Sequence, residues 1–312
     1  MVLTGASRGI GHATVKRFSE AGWRIITCSR SPLHPNCPWD AGEENHLQID
    51  LASPAEIESG ARELIKKLDG APLHALVNNA GISPKSEAGD RMDSMSTPLD
   101  VWHGVFQVNV FAPVMLARAL IEPLQQGNGT VVNVTSIAGS RVHEFAGTAY
   151  AASKAALSAL TREMASDFGK RGVRVNAIAP GEILTGILSP GSEEAMLPSI
   201  PLGRFGTSEE VAETIFFLCN ESAGYINGAE LHVKGGQHVG RRNPGIAPRP
   251  TWEIRIMSPD DAKTSPLSGN SPASRDIAFH MHPYTNPSML ADAGPHIMAK
   301  GTGVFVHDDN GK

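Results

Sequence analysis

Along residues 1–236, short apolar runs of strand length alternate with longer amphipathic segments of helix length. The runs at 2–4, 24–29, 46–50, 74–78, 130–134, 173–179 and 230–233 predict seven strands. The segments 10–21, 54–68, 99–125, 149–169 and 208–219 predict helices, the second entered through Ser53 as N-cap and Pro54 in the first turn. In the fourth segment Leu157, Leu160, Met164 and Phe168 recur at three- and four-residue steps and mark one apolar face. Strands alternating with helices are the pattern of repeated βαβ units, so the expected class is α/β. The expected architecture is a doubly wound, seven-stranded parallel sheet covered by helices on both faces. The first strand has three residues before its glycine turn although such a fold places it centrally, which predicts a missing piece upstream of Met1.

The pattern changes near Gly236. Thirteen of the 22 prolines lie in residues 1–236 and nine in the shorter remainder, which has no long helical period. A domain at 1–239 and a Pro-rich, poorly ordered extension at 240–312 are expected. The net charge of −5 and the lack of a basic block interleaved with aromatics argue against a nucleic-acid partner. His103, Gln107, Asn109 and Arg118 interrupt the most apolar stretch, 101–121, so no membrane span is expected. No secretory signal precedes the first motif. Cys28, Cys37 and Cys219 are odd in number and lack C-x-x-C spacing, which points to a reducing, cytoplasmic setting with neither disulfides nor a zinc site. His280 and His282, without further ligands nearby in the sequence, read as surface residues, and Cys28 and Cys219 as core.

Candidate chemistry begins at Thr4-Gly5-Ala6-Ser7-Arg8-Gly9-Ile10-Gly11, between the first strand and the first helix. Backbone N–H groups and the helix dipole favour a phosphate there, and a Cβ would block its close approach. A glycine turn that binds nothing has the same composition. The Gly-x-x-x-Gly-x-Gly spacing differs from the general dinucleotide fingerprint and resembles the short-chain dehydrogenase/reductase (SDR) family. Asn78-Asn79-Ala80-Gly81, Asp50-Leu51, Pro180-Gly181-Glu182-Ile183-Leu184-Thr185, Pro201-Leu202-Gly203-Arg204 and the stretch from Tyr225 to Gly236 resemble further elements of that family. The resemblance covers residues 1–236. It implies a Rossmann-like fold and a dinucleotide held by Gly5, Ser7, Arg8, Gly9, Ile10, Gly11, Arg30, Asp50, Leu51, Asn79, Ala80, Gly81, Pro180, Gly181, Ile183 and Thr185, together with Tyr150 and Lys154. Ser29 stands where an acid would repel a 2′-phosphate, and Arg8 and Arg30 offer two guanidinium groups to it. NADP(H) is therefore expected, with NAD(H) as the alternative if both arginines are ordinary surface residues.

Tyr150 and Lys154 are four positions apart on a predicted helix and share a face. An ammonium beside a phenol stabilises the phenolate and lowers its pKa towards neutrality. The same spacing occurs on ordinary helices, so the pairing draws its support from Ser136, which follows the fifth strand at the carboxyl edge of the sheet. The family resemblance implies that Ser136 polarises the substrate carbonyl, Tyr150 donates the proton, Lys154 holds Tyr150 and the nicotinamide ribose, and Asn109 supports a water relay. Asn109 also reads as a buried asparagine satisfying a helix kink. Ser136 and Tyr150 are one residue further apart than is common in the family, an excess assigned to the loop 139–148. The expected reaction is hydride transfer between a nicotinamide and a small-molecule carbonyl or alcohol, without a metal. The alternative is a nucleotide-binding regulator or sensor on the same fold that has lost catalysis.

Residues 182–207 read as a substrate lid without a charge cluster that names a ligand, and 82–97 as a second wall. The stretch 136–144 is similar to a subgroup linked to nitrogen-fixation genes, which names no substrate. The family resemblance further implies a homodimer or homotetramer. Residues 257–312, with Gly301-Thr302-Gly303-Val304-Phe305-Val306-His307-Asp308, resemble the amino-terminal segment of a class III pyridoxal-phosphate-dependent aminotransferase, without the core that would bind the cofactor. Met257 would suit a start for such a protein, which suggests a frame fusion; the strand-like residues 303–307 have no obvious partner.

Overall fold

The computed structural model describes residues 1–32, 43–184, 196–239, 298–302 and 305–308. The chain divides into two compact units, residues 1–246 and 247–312. In the first unit the strands are β1 (Val2–Thr4), β2 (Ile26–Ser29), β3 (His46–Gln48), β4 (Ala75–Asn78), β5 (Thr130–Val134), β6 (Arg174–Pro180) and β7 (Glu230–Val233). They form one parallel sheet in the order β3-β2-β1-β4-β5-β6-β7. The order reverses between β1 and β4, which opens a crevice at the carboxyl ends of those strands.

The helices are α1 (Gly9–Glu20), α2 (Pro54–Leu68), α3 (Leu99–Phe106), α4 (Ala112–Ala119), α5 (Ile121–Gln126), α6 (Thr148–Gly169) and α7 (Ser208–Cys219). Successive strand residues face opposite sides of the sheet. Val2, Leu76 and Val131 accordingly pack with Leu64, Leu116 and Met164 on one side. Leu3, Val77 and Val132 pack with Phe18, Val211 and Ile215 on the other. Phe18 is fully buried and meets Trp23 and Phe216 edge-on, with ring centroids 5.0 Å away in each case. Burying such a ring contributes about 2–3 kcal/mol and locks α1 against α7.

The single helix expected over 99–125 is instead broken. A π-helical turn, Gln107–Phe111, separates α3 from α4, and Ala112 N–H reaches back five residues to Gln107 O. Pro113 lacks the N–H that Asn109 O would accept in a regular helix, and Pro123 has the same effect after the break at Leu120. Residues 24 and 25 precede β2 rather than belonging to it. In the second unit, β8 (Met298–Thr302) pairs antiparallel with β9 (Phe305–Asp308). The strand expected to lack a partner therefore has one. Among the described residues no helix is long and apolar enough to cross a membrane.

Candidate active site

The glycine turn is built by contacts that leave no room for side chains. A Cβ on Gly11 would stand 2.0 Å from Gly5 O, and one on Gly5 would stand 2.9 Å from Ala80 Cα. Gly5 and Gly9 both have positive φ, 71° and 55°. Thr4 Oγ1 accepts from the N–H groups of Asn79 and Ala80, each at 3.1 Å, while Asn79 Nδ2 donates to Thr4 O at 3.1 Å and Gly5 O at 2.8 Å. These bonds clamp the turn after β4 onto the turn after β1. The N-cap of α1, Arg8, is extended and makes no side-chain capping bond, and no acid occupies the first turn. That leaves first-turn N–H groups and the positive end of the dipole suited to a phosphate.

Beside this cradle, Ser29 Oγ donates to Ser31 O at 2.7 Å, and Arg8 and Arg30 are exposed. His46 joins the group: its Nε2 lies 3.0 Å from Ser31 O and 3.4 Å from Ser29 Oγ. Sequence reasoning missed it, because the first residue of β3 reaches Ser29 only through sheet pairing. Asp50 Oδ1 accepts from Ala52 N at 2.9 Å, and Leu51 is buried. On the far side, Gly181 N–H bonds Val233 O at 2.9 Å, and a Cβ there would lie 2.4 Å from Gln237 Oε1. Pro180 ends β6, and Ile183 is buried and bridges to Gly206. Thr185 and Cys37 lie outside the described residues, as do His280 and His282.

The proton-transfer candidates meet at the same edge. Ser136 follows β5 and accepts Ala138 N–H at 3.2 Å, opening a short turn that packs against α6. Tyr150 lies in the first turn of α6, and Lys154 Nζ stands 5.7 Å from the centre of its ring. The β4–β5 ladder ends at Asn78 and Asn133, and Ala80 N–H has turned to Thr4. Val134 O, one residue further along, accepts from Lys154 Nζ at 2.7 Å. Burial brings the Lys154 ammonium down to about 8.

Burial pushes the Tyr150 phenol above its usual value; the Ser136 hydroxyl opposes this and the Glu182 carboxylate adds to it. The lowered phenol pKa expected from the Lys154 pairing is therefore not found. Desolvation of the phenolate dominates, and the lysine is directed to a backbone carbonyl. Asn109, in the π-helical turn, accepts Ile82 N–H at 2.9 Å and donates to Ile82 O and Ser153 Oγ, each at 3.0 Å. A Cβ on Gly81 would lie 3.2 Å from Lys154 Nζ and 3.3 Å from Asn109 Oδ1. The end of the Asn-Asn-Ala-Gly turn thus abuts both groups.

A further pair joins the loop before α6 to the turn after β6. His143 Nε2 and Glu182 Oε1 are 2.7 Å apart, and Glu182 is buried. The segment expected to name no ligand by charge thus contributes a carboxylate. Neither residue was singled out, since 39 positions separate them and the only signal was an acid inside an otherwise apolar Pro-Gly-x-Ile stretch. The excess residue of loop 139–148 falls in a segment organised on His143, whose Nδ1 accepts from Phe145 N and Ala146 N. Residues of the second wall hold this loop: Lys85 bonds Phe145 O, and Arg91 Nε donates to Ala146 O at 2.7 Å. Cys28 and Cys219 are buried with thiols pushed up to about 12, as core residues.

A doubly wound sheet with this glycine turn and a Ser–Tyr–Lys grouping at its carboxyl edge defines the class of dinucleotide-binding oxidoreductases. A family model described as Enoyl-(Acyl carrier protein) reductase matches residues 5–238, and the chain belongs to the short-chain dehydrogenase/reductase family. It is 58% identical over 240 residues to Protein FixR of Bradyrhizobium diazoefficiens, covering 77% of this chain and 86% of FixR. It is 33% identical over 249 residues to the 3-oxoacyl-[acyl-carrier-protein] reductase FabG of Aquifex aeolicus, covering 75% and 95%. A crystal structure of a Brucella ovis oxidoreductase of this family, in complex with a partially ordered NAD, superposes with a TM-score of 0.66. The two chains share 59% identity, over 75% of this chain and 98% of that one. The chain is an NAD(P)-dependent dehydrogenase or reductase.

Proposed function

We propose that this protein is an NADP(H)-dependent oxidoreductase interconverting a small-molecule carbonyl and its alcohol, with Ser136, Tyr150, Lys154 and Asn109 as the working groups. The observation that carries this reading is the meeting of Lys154 Nζ and Asn109 Oδ1 at Gly81, which joins the proton-transfer groups to the dinucleotide cradle. The cradle fits the cofactor, since the first turn of α1 carries no acid and no side-chain cap and leaves its N–H groups to a phosphate. When bound, the nicotinamide supplies or accepts the hydride. Gly5, Ser7, Gly9, Ile10 and Gly11 hold the pyrophosphate side, Asp50, Leu51, Asn79, Ala80 and Gly81 the adenosine side, and Gly181 and Ile183 the nicotinamide side.

In the reducing direction Ser136 donates a hydrogen bond to the carbonyl oxygen, and Tyr150 gives that oxygen its proton. A phenol held protonated by burial suits this step. Lys154 then stabilises the phenolate and, with Asn109, returns a proton to it. Arg8 and Arg30, with no carboxylate at position 29, favour the 2′-phosphate of NADP(H). The NAD in the Brucella ovis relative supports the second reading, NAD(H). Leu99 and Phe111, both exposed, together with Trp102, offer an apolar face on which copies of the chain assemble as a dimer or tetramer. Free Cys28 and Cys219 suit a reducing, cytoplasmic setting. No reaction is assigned to residues 240–312. A panel of ketones, aldehydes and alcohols with each dinucleotide, followed by nicotinamide absorbance, tests the reading; dinucleotide binding without turnover of any compound would favour a sensor.

A further inference from the structure

Glu182 carries a charge that the described protein does not balance. Only 8% of the residue is exposed, and among the described residues its carboxylate receives one hydrogen bond, from His143. His143 Nδ1 accepts two backbone N–H groups at 3.2 Å each, so the ring proton sits on Nε2 and the donor to Glu182 is a neutral imidazole. Nearby cations are directed elsewhere. Arg141 Nη1 donates to Gln237 O at 2.9 Å, Lys234 Nζ lies 3.3 Å from Ser140 Oγ, and the electrostatic neighbours of Lys234 are Glu230 and Arg141. Among the described residues no Lys or Arg forms an ion pair with Glu182. The adjoining segment 185–195 contains neither residue type.

A buried carboxylate is costly unless it is paired, and one neutral donor compensates it only in part. This one lies at the carboxyl edge of the sheet, immediately after β6, and acts electrostatically on the Tyr150 phenol. Ser136 follows the neighbouring strand β5, and His143 lies in the loop between Ser136 and Tyr150, so a cation held by Glu182 stands at the same sheet edge as the proton-transfer groups.

We infer that Glu182, oriented by His143, is a specificity-determining residue, and that it takes a protonated amine carried by the substrate close to the reacting carbon. This rests on the oxidoreductase reading above and names its substrate class as amino alcohols and the corresponding amino ketones. In the oxidative direction the carbinol C–H bond breaks and its electron pair leaves as hydride to the oxidised dinucleotide. The hydroxyl proton passes to the Tyr150 phenolate, and the ammonium on Glu182 is unchanged. His143 acts through Glu182 and is a positioning residue.

The test compares isosteric pairs in which a methyl group replaces the ammonium: isopropanolamine against sec-butanol, and in reverse aminoacetone against butanone. The wild-type full chain should favour the amine in kcat/KM by at least about tenfold, the size of one charge-assisted hydrogen bond. Glu182→Gln keeps the volume and the acceptor for His143 but removes the charge, and should bring the ratio to within about threefold of unity. Turnover of neutral compounds without an amine advantage, or an unchanged ratio in the variant, overturns the assignment and leaves the oxidoreductase reading standing. The wild-type ratio alone decides if the variant does not fold. Failure of the wild type to turn over any compound of the wider panel overturns both.

Discussion

Lys154 and Tyr150 stand one turn apart on α6, and the amine that faces the phenol ring also bonds the carbonyl of Val134 at 2.7 Å. Two strands and a helix converge on that amine. Val134 O is available because the ladder between β4 and β5 has ended and Ala80 N–H bonds Thr4 instead.

The burial of Lys154 makes stability depend on pH. Its folded-state value, about 8, lies below the ordinary lysine value of 10.5. Below pH 8 both states are protonated and the folded state carries the full cost of the buried charge. Between the two values the unfolded state binds more protons, so stability rises with pH, and above the upper value the cost is absent. Relative to Lys154→Met, the wild type should gain about 2–3 kcal/mol in urea-unfolding free energy between neutral pH and that upper value. A flat difference across this range would show that the amine titrates normally.

Cofactor choice should follow the two arginines. Arg30→Asp combined with Arg8→Ser replaces attraction for a 2′-phosphate by repulsion, and should shift the ratio of kcat/KM for NADPH over NADH towards NADH by about 10–100-fold. An unchanged ratio removes both residues from the site.

Gly11→Ala should abolish dinucleotide binding and lower the melting temperature. The added methyl meets the backbone oxygen of Gly5 at 2.0 Å, and no side-chain rotation relieves a clash with backbone. Calorimetric titration with NADPH and NADH checks it; wild-type affinity would mean that the turn opens without consequence.

Cutting the chain after Val239 should leave dinucleotide binding and turnover within about twofold of the full chain, since the matched family region ends at residue 238. Limited proteolysis with mass measurement, followed by titration of the fragment, checks this. Loss of binding would make the extension part of the catalytic domain.

How legible each feature was in the sequence depends on the distance over which its cause acts. The pairing of Tyr150 with Lys154 is a matter of helical spacing, and the glycine turn is local chemistry, so both stood out. The short apolar run of Val131, Val132 and Val134 announced β5 to the residue. The helix over 99–125 read as one because apolar periodicity runs straight through Pro113 and Pro123, and only the reading of Asn109 as satisfying a helix kink pointed to the break that the missing N–H groups impose. The direction of the Tyr150 shift follows from burial and from Glu182, neither of which spacing reveals. His46 beside Ser29, and His143 beside Glu182, are joined only by the fold.

The most direct test is the turnover of Tyr150→Phe on any carbonyl compound that the wild type reduces, measured together with the dissociation constant for the reduced dinucleotide. The substitution removes the hydroxyl and leaves the ring. The account predicts that kcat falls by about 10²–10⁴-fold, the usual contribution of a positioned acid, while dinucleotide affinity stays within a few-fold. A variant that reduces the same compound at near the wild-type rate would contradict it.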